Sequence, residues 1–319
     1  MEEEVLNALK VRAGAYVSGE ELSRLVGVSR TAIWKEVEKL RAEGYRILAQ
    51  PHTGYQLVGI PDRLTPQELS WNLPTKRIGR RIHAYEMTDS TMDIAHRLAG
   101  GGEPDGSLVV AEGQTKGRGR LSRSWISPKG KGIYTSVVLR PTVQLSQVPL
   151  ITLMAAVAVA RAIQAETGLE AGIKWPNDVL IGAKKVAGIL TELNAELNRV
   201  NYVVLGIGIN VNAPKSTLPG HATSLLEELG RRVDRLALAR TLFAHLDQLY
   251  VEFLAGRFES IVDQWRSFAH FLGRPIRVVA HGRTVDGQAL GVDPNGTLIV
   301  RNDAGLIEPV SAGDVLVVR

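Results

Sequence analysis

Lys174-Trp175-Pro176-Asn177-Asp178-Val179-Leu180-Ile181-Gly182-Ala183-Lys184-Lys185-Val186-Ala187-Gly188-Ile189-Leu190 is the stretch on which the fold turns. Apolar residues crowd both sides of Gly182-Ala183, and two residues cannot hold a crossover helix, so the strands must double back as a hairpin. A Pro inside such a run marks an edge or a bulge. Strand-like runs recur over 107–112, 132–139, 173–181, 185–193 and 202–211, interleaved with amphipathic helices over 90–99, 148–167 and 234–255. The regular strand-helix alternation of a doubly wound parallel sheet is missing. The expectation is an α+β domain with a mixed or antiparallel sheet and helices on one face.

Upstream, the chain reads as three helices and a short hairpin. Ser18 and Glu21 have capping-box spacing, Gly27 stops the second helix, and Ser29 caps a third whose Ile33, Val37 and Leu40 form an apolar stripe. Two short strands, 45–48 and 55–58, flank a Gly-containing turn and complete a winged helix-turn-helix. In such a module the start of the second motif helix lies nearest the base edges, which makes Arg30, Thr31, Trp34 and Lys35 the candidate DNA readers. A three-helix module used for packing or protein contact stays open. Residues 1–62 carry 8 basic against 9 acidic side chains, poor electrostatics for a lone binder, so a dimer is expected to hold an operator. Gly59-Ile60-Pro61-Asp62 reads as a linker, and residues 271–319 show five short β-rich runs, as in a small SH3-like β-barrel.

The 319 residues include no cysteine, which removes disulfides, thiolate metal sites and a Cys nucleophile, and fits a reducing cytoplasm. The longest apolar stretch, 149–160, is too short for the ~20 residues that a membrane span needs. Met1-Glu2-Glu3-Glu4 is acidic where a secretory signal is positive. Neither export nor a membrane partner is expected. The net charge of +5 is concentrated between 63 and 270, with 25 basic against 19 acidic residues. Within it, residues 114–131 hold six basic side chains and no acid. That cluster calls for an anionic ligand.

Four segments carry chemistry. In Gln114-Thr115-Lys116-Gly117-Arg118-Gly119-Arg120-Leu121-Ser122-Arg123, glycines let backbone N–H groups approach an anion while each guanidinium presents a planar fork of donors. A mobile surface loop or RNA-binding tract is the bland alternative. Around the hairpin, Lys174, Asn177, Asp178 and Lys185 gather near one turn, with Asp178 and Lys185 able to meet across it. Gly206-Ile207-Gly208-Ile209-Asn210-Val211-Asn212 alternates Gly with apolar residues, leaving room for a planar group, and Asn210 and Asn212 are its ligand-facing candidates. Thr88-Asp89-Ser90-Thr91 puts two hydroxyls at a helix start, where a cap or a small carbonyl ligand would use them. The seven histidines have no metal-ligand spacing, and no protein metal site is expected.

These segments, in this order and behind a winged helix, resemble the bifunctional biotin protein ligases that are also biotin operon repressors, the BirA family, over the whole chain. The resemblance implies a winged helix over 1–62, a central mixed-sheet catalytic domain of the biotin/lipoate ligase type over 63–270 and an SH3-like barrel over 271–319. It implies that biotin and ATP, with Mg²⁺, condense to biotinyl-5′-AMP, and that biotin then passes to a lysine of a biotin carboxyl carrier protein or a similar carboxylase domain. By position, Ser90, Thr91 and Gln114 would hold the ureido head, and Arg118, Gly119 and Arg120 would cover biotin's carboxylate and the α-phosphate, with Lys185 bridging those anions. Arg118, Arg120 and Lys185 are thus the expected catalytic groups. Lys174, Asn177, Asp178 and Asn210 would serve the nucleotide, and 213–224 corresponds to a loop that orders over the adenylate. The adenylate would act as corepressor, promoting a homodimer on operator DNA. A lipoate ligase, or a ligand-sensing repressor without ligase activity, remain as alternatives. One departure stands out: the family's loop has Gly where this chain has Ser122, a strained residue if the position needs positive φ.

Overall fold

The computed structural model describes residues 1–197, 199–280 and 283–317. The chain divides into two compact units, Met1–Arg63 and Leu64–Arg319. In the first, α1 (Glu2–Val11), α2 (Gly19–Val26) and α3 (Arg30–Ala42) precede the antiparallel pair β1 (Arg46–Gln50) and β2 (Gly54–Gly59). Ser18 accepts from the Glu21 N–H at 3.0 Å, Gly27 ends α2 at φ +74°, and Ser29 accepts from the Ala32 N–H at 3.2 Å. Each cap satisfies a donor that a helix start leaves orphaned. The apolar stripe of α3 then packs with Val5, Leu9, Leu22 and Leu57 in one small core.

The second unit opens with α4 (Pro66–Ser70), β3 (Ile82–Thr88), α5 (Thr91–Gly100), β4 (Ser107–Gln114) and β5 (Gly132–Leu139). It continues through α6 (Pro149–Thr167), β6 (Ala171–Lys174), β7 (Asp178–Ile181), β8 (Lys184–Glu196) and β9 (Arg199–Asn210). Three helices follow: α7 (Leu225–Leu229), α8 (Arg235–Leu254) and α9 (Phe258–Phe268). The seven strands form one sheet in the order β3-β4-β5-β9-β8-β7-β6, parallel between β3 and β4 and antiparallel elsewhere. It is a mixed sheet, and β7 and β8 are the hairpin around Gly182-Ala183.

Helices cover both faces, not one. Leu108, Val110, Val137 and Leu205 join α6, α8 and α9 in the main core, whereas Val109, Val138 and Val204 meet Met92, Ile94, Ala95 and Ala99 of α5 in a separate cluster. Strands buried on both sides lose the apolar-polar alternation that assigns a face, so the second layer left no mark in the residue pattern of β4 and β5. Helix α6 continues beyond Arg161 to Thr167, and together with the 3-10 turn before it the run Leu145–Thr167 is long and apolar enough for a membrane by length and composition. It is mostly buried against the other helices and the sheet, as a core helix is.

Five short strands close the chain: β10 (Pro275–Ala280), β11 (Arg283–Val292), β12 (Leu298–Arg301), β13 (Ile307–Val310) and β14 (Asp314–Val317). They pair antiparallel in the order β13-β12-β11-β10-β14; among the described residues no ladder joins β13 to β14, so the barrel-like sheet is not closed by hydrogen bonds. Val278, Val285, Val300 and Val315 share the main core of the unit. The Trp175 indole N–H donates to the Gly296 carbonyl at 3.1 Å, tying the β6–β7 link to this sheet.

Candidate active site

A cavity of about 560 Å³ opens beside the β8–β9 surface and is roofed by the loop between β4 and β5. Its first end is neutral. Gln114, the last residue of β4, accepts through Oε1 from the Thr91 N–H at 2.9 Å and the Thr91 hydroxyl at 3.1 Å, and donates through Nε2 to Ser127 Oγ at 2.8 Å. Ser136 Oγ in turn donates to Thr91 Oγ1 at 2.8 Å. Ser90 is the N-cap of α5 yet makes no side-chain cap bond, and its buried hydroxyl has no partner among the described residues. A buried hydroxyl left without a partner is costly, so this one is free for a ligand. The Gly206 and Gly208 backbones form the floor. A Cβ on Gly208 would come within 2.5 Å of the Trp125 indole nitrogen, so this glycine is required by the close approach of that ring.

The second end is charged. Lys185 Nζ lies 2.6 Å from Asp178 Oδ1 and 5.4 Å from the centroid of the Trp125 ring, and Lys174 Nζ is 3.6 Å from Asp178 Oδ2. Arg120 donates to Asn177 Oδ1 at 2.9 Å, to the Gly313 carbonyl at 3.3 Å and to Asp314 at 3.4 Å, while Arg123 reaches Asp314 Oδ2 at 2.7 Å. Asn177 also donates to the Ile189 carbonyl, which holds its oxygen toward Arg120. Two lysines and an arginine are thereby aimed into one partly buried space. Water screens them less there than on a free surface, which suits a polyanion.

The roof departs from expectation at Arg118. Its guanidinium pairs with Asp93 of α5 at 3.2 Å and Glu192 of β8 at 2.8 Å rather than joining Lys185 and Arg120. These two carboxylates, one on α5 and one on β8, hold it at the edge of the cavity. Leu121 and Ser122 have φ of +53° and +58°, so the residue replacing glycine does adopt the left-handed conformation. The Asp89 carboxyl is held below the usual carboxylate range by bonds from the Thr115 hydroxyl and from Lys116, which rivets the loop's first limb to the start of α5.

Beyond β9, residues 213–224 fold against the charged end. Lys185 N–H donates to the His221 carbonyl at 3.0 Å and Thr223 N–H to the Lys185 carbonyl at 2.8 Å, so the backbone of Lys185 anchors this loop. Lys215 Nζ donates to the Ala222 carbonyl at 2.7 Å. Asn210 lines the cavity, but its amide is engaged by the Thr223 carbonyl at 3.0 Å. Asn212 is a correction: its amide donates to the Val233 carbonyl and accepts from the Val233 N–H, so it pins the chain before α8 and faces no ligand.

The sequence reading missed Trp125, Asp314, Leu316 and His221, all of which line the cavity. Asp314 had no local signal, because it comes from β14 at the far end of the chain. Trp125 could have been noticed as an aromatic just past the arginine loop. In the first unit, Arg30, Thr31, Trp34 and Lys35 are all exposed at the start of α3, Trp34 at 53 %, and Arg30 is paired with Glu20. An exposed Trp beside buried Ile33 and Val37 is a side chain that the core does not use. Among the described residues no group of three His, Asp or Glu could hold a metal ion.

Residues 84–210 match the biotin/lipoate A/B protein ligase family, residues 2–56 an HTH domain family and residues 271–318 the biotin protein ligase C-terminal domain. The bifunctional ligase/repressor BirA of Bacillus subtilis is 40% identical over 301 residues, covering 93% of each chain. Its Escherichia coli counterpart is 28% identical over 309 residues, covering 95% of this chain and 93% of that one. Among solved structures, the biotin protein ligase from Aquifex aeolicus in complex with biotin and ATP matches with a TM-score of 0.64 at 29% identity, over 75% of this chain and 99% of that chain.

Proposed function

We propose that this chain, which belongs to the biotin protein ligase family, condenses biotin with ATP to biotinyl-5′-AMP and pyrophosphate and transfers the biotinyl group to a lysine of a carboxylase acceptor domain. One observation carries the reading: a single cavity has a neutral hydrogen-bonding end and a cationic end, about as a small acid with an amide-like head and a carboxylate tail requires. Ser90, Thr91 and Gln114 take the ureido head, and the Gly206-Gly208 floor and Trp125 take the apolar middle. The carboxylate then lies toward Lys185 and Arg120.

A carboxylate oxygen attacks the α-phosphorus, the bond to pyrophosphate breaks, and pyrophosphate leaves with the electron pair. Both reactants are anions, so the protein need only supply cations fixed in advance at the developing charge. Lys185 and Arg120 do this at the attacking side, and Lys174 and Asn177 serve the nucleotide phosphates. Asp178 keeps both lysines oriented. Mg²⁺ keeps most of its water and binds through phosphates plus one or two carboxylates, and Asp178 suits that donor set; the ion would neutralise the leaving pyrophosphate. In the second half-reaction the acceptor amine attacks the acyl carbon, the bond to AMP breaks, and the amine proton goes to solvent. Labelled pyrophosphate should exchange into ATP only with biotin present, and the mass of an acceptor domain should rise by one biotinyl group. No exchange from the purified chain removes the ligase reading.

The HTH match and the exposed face of α3 support a second role as a repressor in the cytoplasm, with Arg30, Thr31, Trp34 and Lys35 on DNA. The adenylate, by holding the roof and the 213–224 loop, would favour a homodimer that places two winged units on a two-fold operator. DNA binding measured with and without adenylate tests this; affinity indifferent to the ligand counts against it.

A further inference from the structure

The rim of the neutral end carries a charge cluster that the adenylation chemistry leaves unused. Arg118 spans from Asp93 to Glu192, and His96 Nε2 lies 2.8 Å from the same Glu192 oxygen that meets Arg118. His96 is itself braced edge-on against Tyr202, with ring centroids 5.8 Å apart. The two carboxylates come from different elements, α5 and β8, and meet at the same guanidinium nitrogen. Asp93 follows Thr91 and Met92 on α5, and Glu192 lies two residues beyond Leu190 on the same side of β8. Lys185 is seven residues back along β8, roughly 20 Å of extended strand. The loop's first limb is already fixed on the α5 side, where Thr115 N–H donates to Thr88 O at 2.9 Å and Lys116 N–H to Asp89 O at 2.8 Å. Arg118 carries that attachment across to β8.

We propose that Asp93, Glu192 and His96 are positioning residues that hold Arg118 as a bar across the head end of the cavity and so set the rate at which biotin leaves. The proposal rests on the reading of the cavity as a biotin site. Each pair is half-exposed and weak alone. They act together on one loop, however, so breaking the bar shifts the loop between closed and open while the distant cations stay in place. The bar therefore controls retention at the end of the ligand that does not react.

The test is the release of labelled biotin from its complex with the full chain under excess unlabelled biotin, alongside biotin-dependent pyrophosphate exchange. Glu192→Ala should release biotin about fivefold to tenfold faster and raise its KM by a similar factor, with kcat at saturating biotin and the KM for ATP held. Glu192→Gln, which keeps the shape and guards against a folding defect, should fall between. Arg118→Ala combined with Glu192→Ala should release biotin no faster than Arg118→Ala alone, because both remove one interaction. Unchanged release from Glu192→Ala, or additive effects in the double variant, overturns the bar while leaving the biotin site standing. A wild-type chain that binds no biotin overturns the site reading and the bar with it.

Discussion

The two ends of the cavity are built on opposite principles. At the head end, Thr91, Gln114, Ser127 and Ser136 are neutral and linked by hydrogen bonds; β4, β5 and the start of α5 carry three of them, and Ser127 comes from the loop between β4 and β5, bridged to Gln114. At the tail end, Lys174, Lys185, Arg120 and Arg123 are tied to Asp178 and Asp314, and part of the frame is two loops. A rigid neutral network gives selection by shape and donor pattern. A set of cations held by exchangeable carboxylates can accept phosphates whose charge changes during the reaction. Recognition and chemistry are thus separated along one groove, and substitutions should separate them too.

The largest effect is expected at the tail. Lys185→Ala should lower pyrophosphate exchange by roughly 10²–10³, the usual cost of losing one preorganised charge-stabilising group, with the melting temperature little changed. Unfolding of that variant would break the contrast, since it would make the lysine structural. At the head, Gln114→Ala leaves Thr91 and Ser127 without their shared partner. It should raise the KM for biotin about tenfold to a hundredfold, from ~1–3 kcal/mol of unsatisfied polar groups, with a much smaller change in kcat. Equal losses in both constants would show that the two ends do not act separately.

Asp314→Ala sharpens the comparison from the C-terminal sheet. Freed of that carboxylate, Arg120 and Arg123 are less well aimed, and the KM for ATP should rise roughly threefold to fivefold while that for biotin holds, as expected for about 1 kcal/mol. The Glu228 carboxyl tests the 213–224 loop. The Thr223 hydroxyl lowers its pKa most, burial works the other way, and Lys184 lowers it further. A depressed carboxylate contributes stability that is fully present above its unfolded value of about 4.3 and is lost as pH falls through the folded value. Cleavage of residues 213–224 by an acid-active protease should therefore rise below about pH 4.3, and a flat profile would show that Glu228, through Thr223, adds nothing to the hold of the Lys185 backbone on this loop. The smallest effect belongs to Ser122→Gly. Relief of a left-handed serine, ~1–2 kcal/mol, is partly offset by the added freedom of glycine, ~0.5–1 kcal/mol, so thermal unfolding should show a gain of about half a kcal/mol.

Much of the site was readable before the fold was known, and the reason differs by residue. Gly117, Gly119 and the arginines announce a loop near anions because backbone freedom and guanidinium forks are properties of single residues. Asp178 and Lys185 meet because a two-residue turn leaves them little choice. Glu192 and Asp314 gave no such sign: their arginines are 74 and 194 residues away in the chain. Strand β3 was also missed: it is an edge strand with no buried residue, and its apolar-polar alternation slips at Ala84-Tyr85. The helix face of α5 escaped notice because β4 and β5 are buried on both sides.

Taken alone, the amino-acid order determined what acts within a few residues: the caps at Ser18 and Ser29, the hairpin at Gly182-Ala183 and the arginine loop. Only the tertiary structure decided which carboxylate meets which arginine, that α5 covers the second face of the sheet, and that Asn212 serves the fold while Ser90 stays free. Caps and turns are closed by neighbours in the chain, whereas ion pairs and packed faces depend on strand order, which no local pattern of residues encodes.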